Sequence, residues 1–335
     1  MLPARLAVRL GLRAATRNPE LSFGKTLLDA LGGLLSLLPW VLALVLVTGL
    51  VARLEAFVGL VAATVALAKM RWALAGAAFC AGAISWALGV AFWAGALPVL
   101  AADAELQRRP PRGHFWPLAE RGFARVAGAS ALGYALVLAF ALALGTGAVA
   151  AAIAIVARPT PAKLALVSAL ACVAIVGGIL LDALVRLMLV RAAAFGDGAV
   201  AAFARASELL LRRLGACVAV QLAFVLLELV VAAVTGLFTG LLWFGLDPAV
   251  MLLALPARAA AWLAFAAVFA WLEVARQGAL AALVADAEGL VELPPEPPPA
   301  PPAPSVLQRP DVIEALPVIE ALPAPAPPGS DGEKK

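Results

Sequence analysis

Apolar residues do not alternate with polar ones along this chain; they run. Bounded by charges, six runs stand out: 30–52, 72–102, 126–157, about 164–190, 214 to about 238, and about 256–281. A helix needs about 20 mostly apolar residues to cross the hydrocarbon of a bilayer, so the first three qualify outright. The last three carry charges within them: Asp182 and Arg186 in the fourth, Glu228 in the fifth, and Arg258, Glu273 and Arg276 in the sixth. A shorter apolar run at 56–68, fenced by Glu55 and Lys69, is too short to cross and reads as an interfacial or re-entrant helix. The pattern predicts an all-α integral membrane protein with six transmembrane helices.

Composition agrees. Of 335 residues, 64% are hydrophobic and 14% charged, against roughly 45 to 50% apolar in a soluble domain. If the N-terminus is cytoplasmic, the inner segments hold fifteen Lys and Arg and the outer ones six, which favours both termini inside. The net charge of +4 then needs no nucleic acid, because a basic inner face meets anionic lipid. The opening MLPARLAVRLGLRAATR has no continuous apolar stretch and no small-residue cleavage site, so it does not read as a secretory signal. Its arginines 5, 9, 13 and 17 share a helical face, read as a lipid-headgroup stripe, as a solvated end, or as the product of a misplaced start codon. Cys80, Cys172 and Cys217 lie inside the runs and read as small packing residues.

One phrase is written twice. Residues 95–106 read GALPVLAADAEL and residues 278–289 read GALAALVADAEG, where the second and sixth spans leave the membrane on the inside. Half that offset leads from 95 to RLMLVRAAAFGDG, where the fourth span also exits inward. Between spans, HFWPLAERGFAR and AAFARASELLLRR share the order Phe, Glu, Arg at equal spacing, and NPELSFGKTLLDAL matches them in placement. Each reads as an amphipathic helix feeding the next span. In 198–214, Phe203, Leu210, Leu211 and Leu214 face one way, Arg205, Glu208 and Arg212 the other, with Asp197 as the expected N-cap. In 115–126, Phe115, Leu118, Gly122 and Val126 form the apolar face. The expected architecture is three hairpin repeats with cytoplasmic interfacial amphipathic helices, about 17–103, 104–195 and 196–289, making a membrane domain over 1–289. Arg121, Arg125, Arg205, Arg212 and Arg213 are the candidate contacts to lipid headgroups.

The run LVRAAAFGDGAVAAFARASELLLRRLGACVAV, a span exit, a short turn, an Ala-rich helix with a basic end and another span, resembles the bacterial six-helix membrane domain found beside glycerophosphoryl diester phosphodiesterases and in related uncharacterised membrane families. The likeness covers about residues 17–289 and implies an all-helical inner-membrane domain. It does not carry over the phosphodiesterase chemistry, whose catalytic domain has no counterpart in a chain with one histidine.

The remaining chemistry is sparse. His114 alone gives a His-based metal site or a Ser-His-Asp triad little to be built from, and no phosphate-binding loop is present, so no metal, cofactor or enzyme activity is expected. The charges within spans are informative, since one near the bilayer centre costs at least about 2.5 kcal/mol and usually faces protein or water. Glu228 lies about 21 Å along span five, with Gln221 two turns earlier on the same face. Together they read as a polar path or as a buried carboxyl gluing helices. Asp182 with Arg186 and Glu273 with Arg276 read as internal pairs, free to cross-pair, serving as clamps or as an inner gate.

After Glu292 the chain turns to proline, with VIEALP repeated at 312–317 and 318–323; 290–335 reads as an extended, disordered cytoplasmic tail. Segment 294–323 is the candidate surface for a protein partner, and membrane lipids are the other expected partner. Ala, Leu, Val and Arg usage points to a GC-rich bacterial genome, hence the inner membrane. The sequence therefore favours a nonenzymatic module that organises the membrane or binds lipids or partners. The alternative is a transporter or permease using Glu228 and Gln221.

Overall fold

The computed structural model describes residues 2–53, 56–106, 115–157, 161–244 and 255–291. Within them the chain is helical throughout: α1 Ala4–Arg17, α2 Pro19–Arg53, α3 Ala56–Leu106, α4 Phe115–Ala157, α5 Pro161–Ala194, α6 Ala199–Arg212, α7 Leu214–Phe244 and α8 Leu255–Ala287. Six stretches are long and apolar enough to cross a membrane: Pro19–Gly49, Val61–Glu105, Phe115–Ala150, Val167–Ala194, Leu214–Gly240 and Pro256–Ala287. The protein is thus a multi-pass, all-helical membrane protein. Contacts separate Met1–Glu292 from Leu293–Lys335; the tail, its VIEALP pair and His114 lie outside the described residues.

Several local expectations change. The run at 56–68 is no separate interfacial helix but the first part of α3. Nothing in Lys69, Met70 and Arg71 breaks a helix, all three being good helix formers, and Arg71 caps the face of Trp72 at 5.6 Å. At 51 residues, α3 extends about 76 Å, far more than a hydrocarbon core of about 30 Å. Segment 115–126 is likewise continuous with the third span in α4. The ring of Phe115 lies against Gly95, and Gly122 approaches Ala94, so the start of α4 already runs along α3. NPELSFGKTLLDAL begins α2 rather than forming its own element, with Asn18 and Pro19 at the helix start as their residue types dictate.

The helix that precedes the first span is instead α1. Its arginines 5, 9 and 13 are exposed, while Ala7, Leu10, Gly11, Ala14 and Ala15 are buried on the opposite face. That face lies on α8, where the absence of a side chain at Gly11 and Gly278 lets the backbones meet; a Cβ on Gly278 would lie 3.3 Å from the Gly11 Cα. The separate helix α6 buries Ala202, Ala206, Leu209 and Leu210. Asp197 does not cap it: Gly198, which has no side chain to offer, stands at the N-cap, and the Asp197 carboxylate pairs with Arg191 and Arg205.

Burial is uneven along the helices. Fully buried large side chains gather at the arginine-rich end: Leu97 and Leu100 of α3, Leu187 and Met188 of α5, Phe224 of α7, Leu280 and Leu283 of α8. Towards the other end Trp40, Trp72, Phe79, Leu142, Ile175 and Leu237 are exposed. A surface this apolar suits lipid, not water. The structure is close-packed at one end and lipid-facing along the rest. Of the three cysteines only Cys217 is buried there; Cys80 and Cys172 are exposed.

Candidate functional site

Two layers of charge occupy the close-packed end. The outer layer sits where helices stop. α5 and α8 each end at a left-handed glycine, Gly196 and Gly289, both at φ 73°; after α8 Leu290 N–H closes a Schellman bond to Ala285 O (2.9 Å), and after α5 Asp197 N–H reaches one residue further back, to Arg191 O (3.3 Å). The aspartates of the duplicated phrase serve parallel purposes. Asp103 at the end of α3 faces Arg17 at the end of α1, 3.7 Å away. Asp286 at the end of α8 binds Arg213, at the end of α6, and accepts the Leu2 backbone N–H at 2.8 Å. Arg191 joins the layer: its Nε donates to Asp197 at 2.9 Å, its Nη1 pairs with Glu288, and its guanidinium lies over the Phe195 ring.

This places the arginines expected at lipid headgroups. Arg121 and Arg125 are exposed, with the Arg125 guanidinium beside Gly196. Arg205 reaches back to Asp197 at 2.7 Å, and Arg212 pairs with Glu208 one turn earlier at 2.6 Å, as the spacing predicted. Arg213 is turned inward to Asp286.

The deeper layer crosses four helices. Lys25 of α2, buried, donates to Asp29 at 2.5 Å and to Glu273 of α8 at 2.7 Å. Arg186 of α5 holds Asp182 through its Nε at 2.8 Å and lies 3.7 Å from Glu273. Arg276 of α8 reaches Asp182 at 3.4 Å and pairs with Glu228 of α7. The Asp182–Arg186 pair is therefore present as read from the sequence. Glu273 and Arg276, one turn apart, instead each pair with neighbouring helices. Three cations meet four carboxylates, and the network ties α2, α5, α7 and α8 together. Lys25 was counted from sequence only as an inner basic residue; the signal that could have found it is Asp29, four residues on, at the threshold of the first apolar run.

Two amides complete the layer. Gln221 and Gln277 are each 1% exposed; among the described residues neither polar atom of Gln221 and not the Gln277 Oε1 has a hydrogen-bond partner. Buried polar atoms without partners are costly. Next to Gln277 opens a cavity of about 650 Å³ between α3, α4, α5 and α8, whose wall includes Asp182, Arg186 and Glu273 as well as Trp86, Trp93 and Ser130. The Trp86 indole donates to Ser130 at 3.0 Å. Gln221 and Glu228 are not among the described residues lining it. The tryptophans and the serine were not singled out in the sequence, where they read as ordinary span residues.

No protein-family model, curated protein or solved structure matches the chain.

Proposed function

We propose that the protein is a nonenzymatic module of the bacterial inner membrane that binds lipids or partner proteins, with both termini in the cytoplasm. In this reading it is built of three hairpins, each introduced at the inner face by a helical segment: α1 before α2 and α3, the start of α4 before α5, and α6 before α7 and α8. The observation that carries it is the concentration of packing and charge at one end. Helices α1 and α6, the ends of α3, α5 and α8, and most of the described arginines meet there, while the remaining helix lengths are exposed and apolar. Such an arrangement would present a folded, charged inner face to lipids and partners. The likeness to the membrane domain that accompanies glycerophosphoryl diester phosphodiesterases belongs to the same reading. The test is purification in mild detergent from native membranes, full length beside a chain stopped at residue 290, with bound proteins and lipids identified by mass spectrometry. A partner lost on truncation is expected of the tail, and a lipid retained by both forms of the membrane domain. Recovery of neither contradicts the proposal.

A second reading, a transporter or permease, is favoured by one observation: the four-helix charge network, with Gln221 two turns from Glu228 on α7 buried and without a partner among the described residues. It requires that Glu228→Gln abolish flux of a solute without loss of expression. Unchanged flux removes it.

A further inference from the structure

Part of the wall of the cavity beside Gln277 has no side chains. Gly82, Gly89 and Gly178 line it, and a Cβ built on any of the three meets nothing within 4 Å. At about 650 Å³ it falls within the roughly 300 to 1,000 Å³ of small-molecule sites. Its shape follows from the helix register. The lining runs from Val126 to Phe140 on α4 and from Gly178 to Leu189 on α5, or roughly 16 to 21 Å at 1.5 Å per residue. That is close to the depth of one leaflet of a hydrocarbon core about 30 Å thick.

The two ends of this slot differ. Gly82, Val137, Phe140 and Gly178 bring no charge to it, whereas from Asp182, one turn past Gly178, the part nearer the arginine-rich end holds Asp182, Arg186, Glu273 and Gln277. An occupant must therefore be apolar at one end and polar at the other. Three features fix the sign of the polar end. The network behind it carries four carboxylates against three cations, an excess of one negative charge. The Asp182 side chain remains 42% exposed although it sits in a span, and Gln277, 99% buried, offers an acceptor oxygen that no described residue uses. The indoles of Trp86 and Trp93 on the same wall add rings of the kind that attract cations. An anionic group would find Arg186 as the one cation among the lining residues, its Nε already donating to both Asp182 oxygens at 2.9 and 2.8 Å and only its Nη groups left.

We infer that the cavity between α3, α4, α5 and α8 binds an amphiphile whose head carries an ammonium group and one of whose apolar tails enters the slot. The ammonium donates to Asp182, Glu273 and the free oxygen of Gln277, and the tail lies along the glycine-lined slot. Aminophospholipids, with one acyl chain in the slot and the phosphate towards Arg186, and water-soluble amphipathic amines share this ammonium-and-tail chemistry. The inference deepens the lipid-binding part of the function proposed above and rests on it.

The experiment titrates the full-length protein, in a nonionic maltoside detergent, with dodecylammonium and with dodecanoate, which share a tail and differ in head, reading tryptophan fluorescence and calorimetry. Saturable one-to-one binding of dodecylammonium, at least tenfold tighter than dodecanoate, is expected. Asp182→Asn should weaken it at least tenfold. Gly178→Phe puts a ring into the slot and removes no charge; it should abolish binding while leaving the melting temperature unchanged, so it decides the matter even if the Asp182 variant fails to fold. Equal binding of the two heads, binding that does not saturate, or full affinity in Gly178→Phe overturns the inference. In nanodiscs, phosphatidylethanolamine that competes with dodecylammonium identifies the lipid as occupant; no competition, with binding intact, identifies a soluble amine, and both support the site. Absence of dodecylammonium binding while specific lipids still copurify removes the cavity alone, whereas absence of both removes the function proposed above as well.

Discussion

Replacing Gly11 with alanine tests how α1 is held. A Cβ at this position would lie 2.2 Å from the Ala275 carbonyl oxygen, 2.6 Å from the Ala279 nitrogen and 2.8 Å from the Ala279 Cβ, where ordinary carbon contacts are about 3.5 to 4.0 Å. The obstruction is chiefly backbone, so no side-chain rotation relieves it and α1 must retreat from α8 by about 1 Å. Overpacking of this kind costs about 1 to 3 kcal/mol, with the rigid obstruction placing it near the upper figure. Against that, alanine is better than glycine within a helix by about 1 kcal/mol. The net loss of about 1 to 2 kcal/mol corresponds to roughly a tenfold rise in undocked α1. Trypsin provides the assay, because Arg5, Arg9 and Arg13 are exposed on a helix whose other face is docked, and cleavage needs the helix to open. The Gly11→Ala protein should be cut in this segment about ten times faster and melt earlier in detergent. Gly33→Ala, where a Cβ meets nothing within 4 Å, should be neutral or slightly stabilising. Wild-type cleavage and melting for Gly11→Ala would refute the docking of α1 through this glycine pair.

Further predictions follow from the same end of the structure. Asp286→Ala removes the partner of Arg213, both side chains being largely buried, and should cost about 3 kcal/mol of stability. Asp103→Ala, facing a more exposed Arg17 at 3.7 Å, should cost no more than about 1 kcal/mol; equal losses in parallel thermal melts would contradict the difference in geometry. Phe224→Ala empties a fully buried position and should lower stability by about 3 kcal/mol, the low end of the range for soluble cores because lipid is as apolar as the protein interior. The same change at Trp72, which is 77% exposed, should leave the melting temperature of the detergent-solubilised protein within a degree or two of wild type.

How far the sequence reached can be judged from particular elements. The six spans were legible because lipid imposes one requirement, some 20 apolar residues per crossing, that a linear pattern displays directly. Helix ends were less so: Lys69 and Arg71 interrupt an apolar run without interrupting a helix, and the difference is invisible to a pattern of charges. The face of α1 opposite its arginines was readable as small and apolar, but its partner was not, because the fit of Gly11 to Gly278 joins residues 267 positions apart. Asp182 and Arg186 found each other as neighbours on one helix, a local relation. Glu273, Arg276 and Glu228 drew their partners from other helices, where proximity depends on the packing of the whole end. The cavity was hidden for the same reason: Gly82, Gly89 and Gly178 look like span glycines until the fold turns all three to one cavity.

The central claim, a six-span protein whose close-packed, arginine-rich end faces the cytoplasm, is tested most directly by single-cysteine labelling in intact cells. With Cys80, Cys172 and Cys217 replaced by alanine, one cysteine is placed at Gly198, beside α6, or at Thr160 or Asp247, in the segments between the third and fourth and the fifth and sixth spans. A membrane-impermeant maleimide applied from the periplasmic side should label positions 160 and 247 and leave position 198 unlabelled until the membrane is permeabilised. Labelling of position 198 from outside, or of all three alike, would contradict the account.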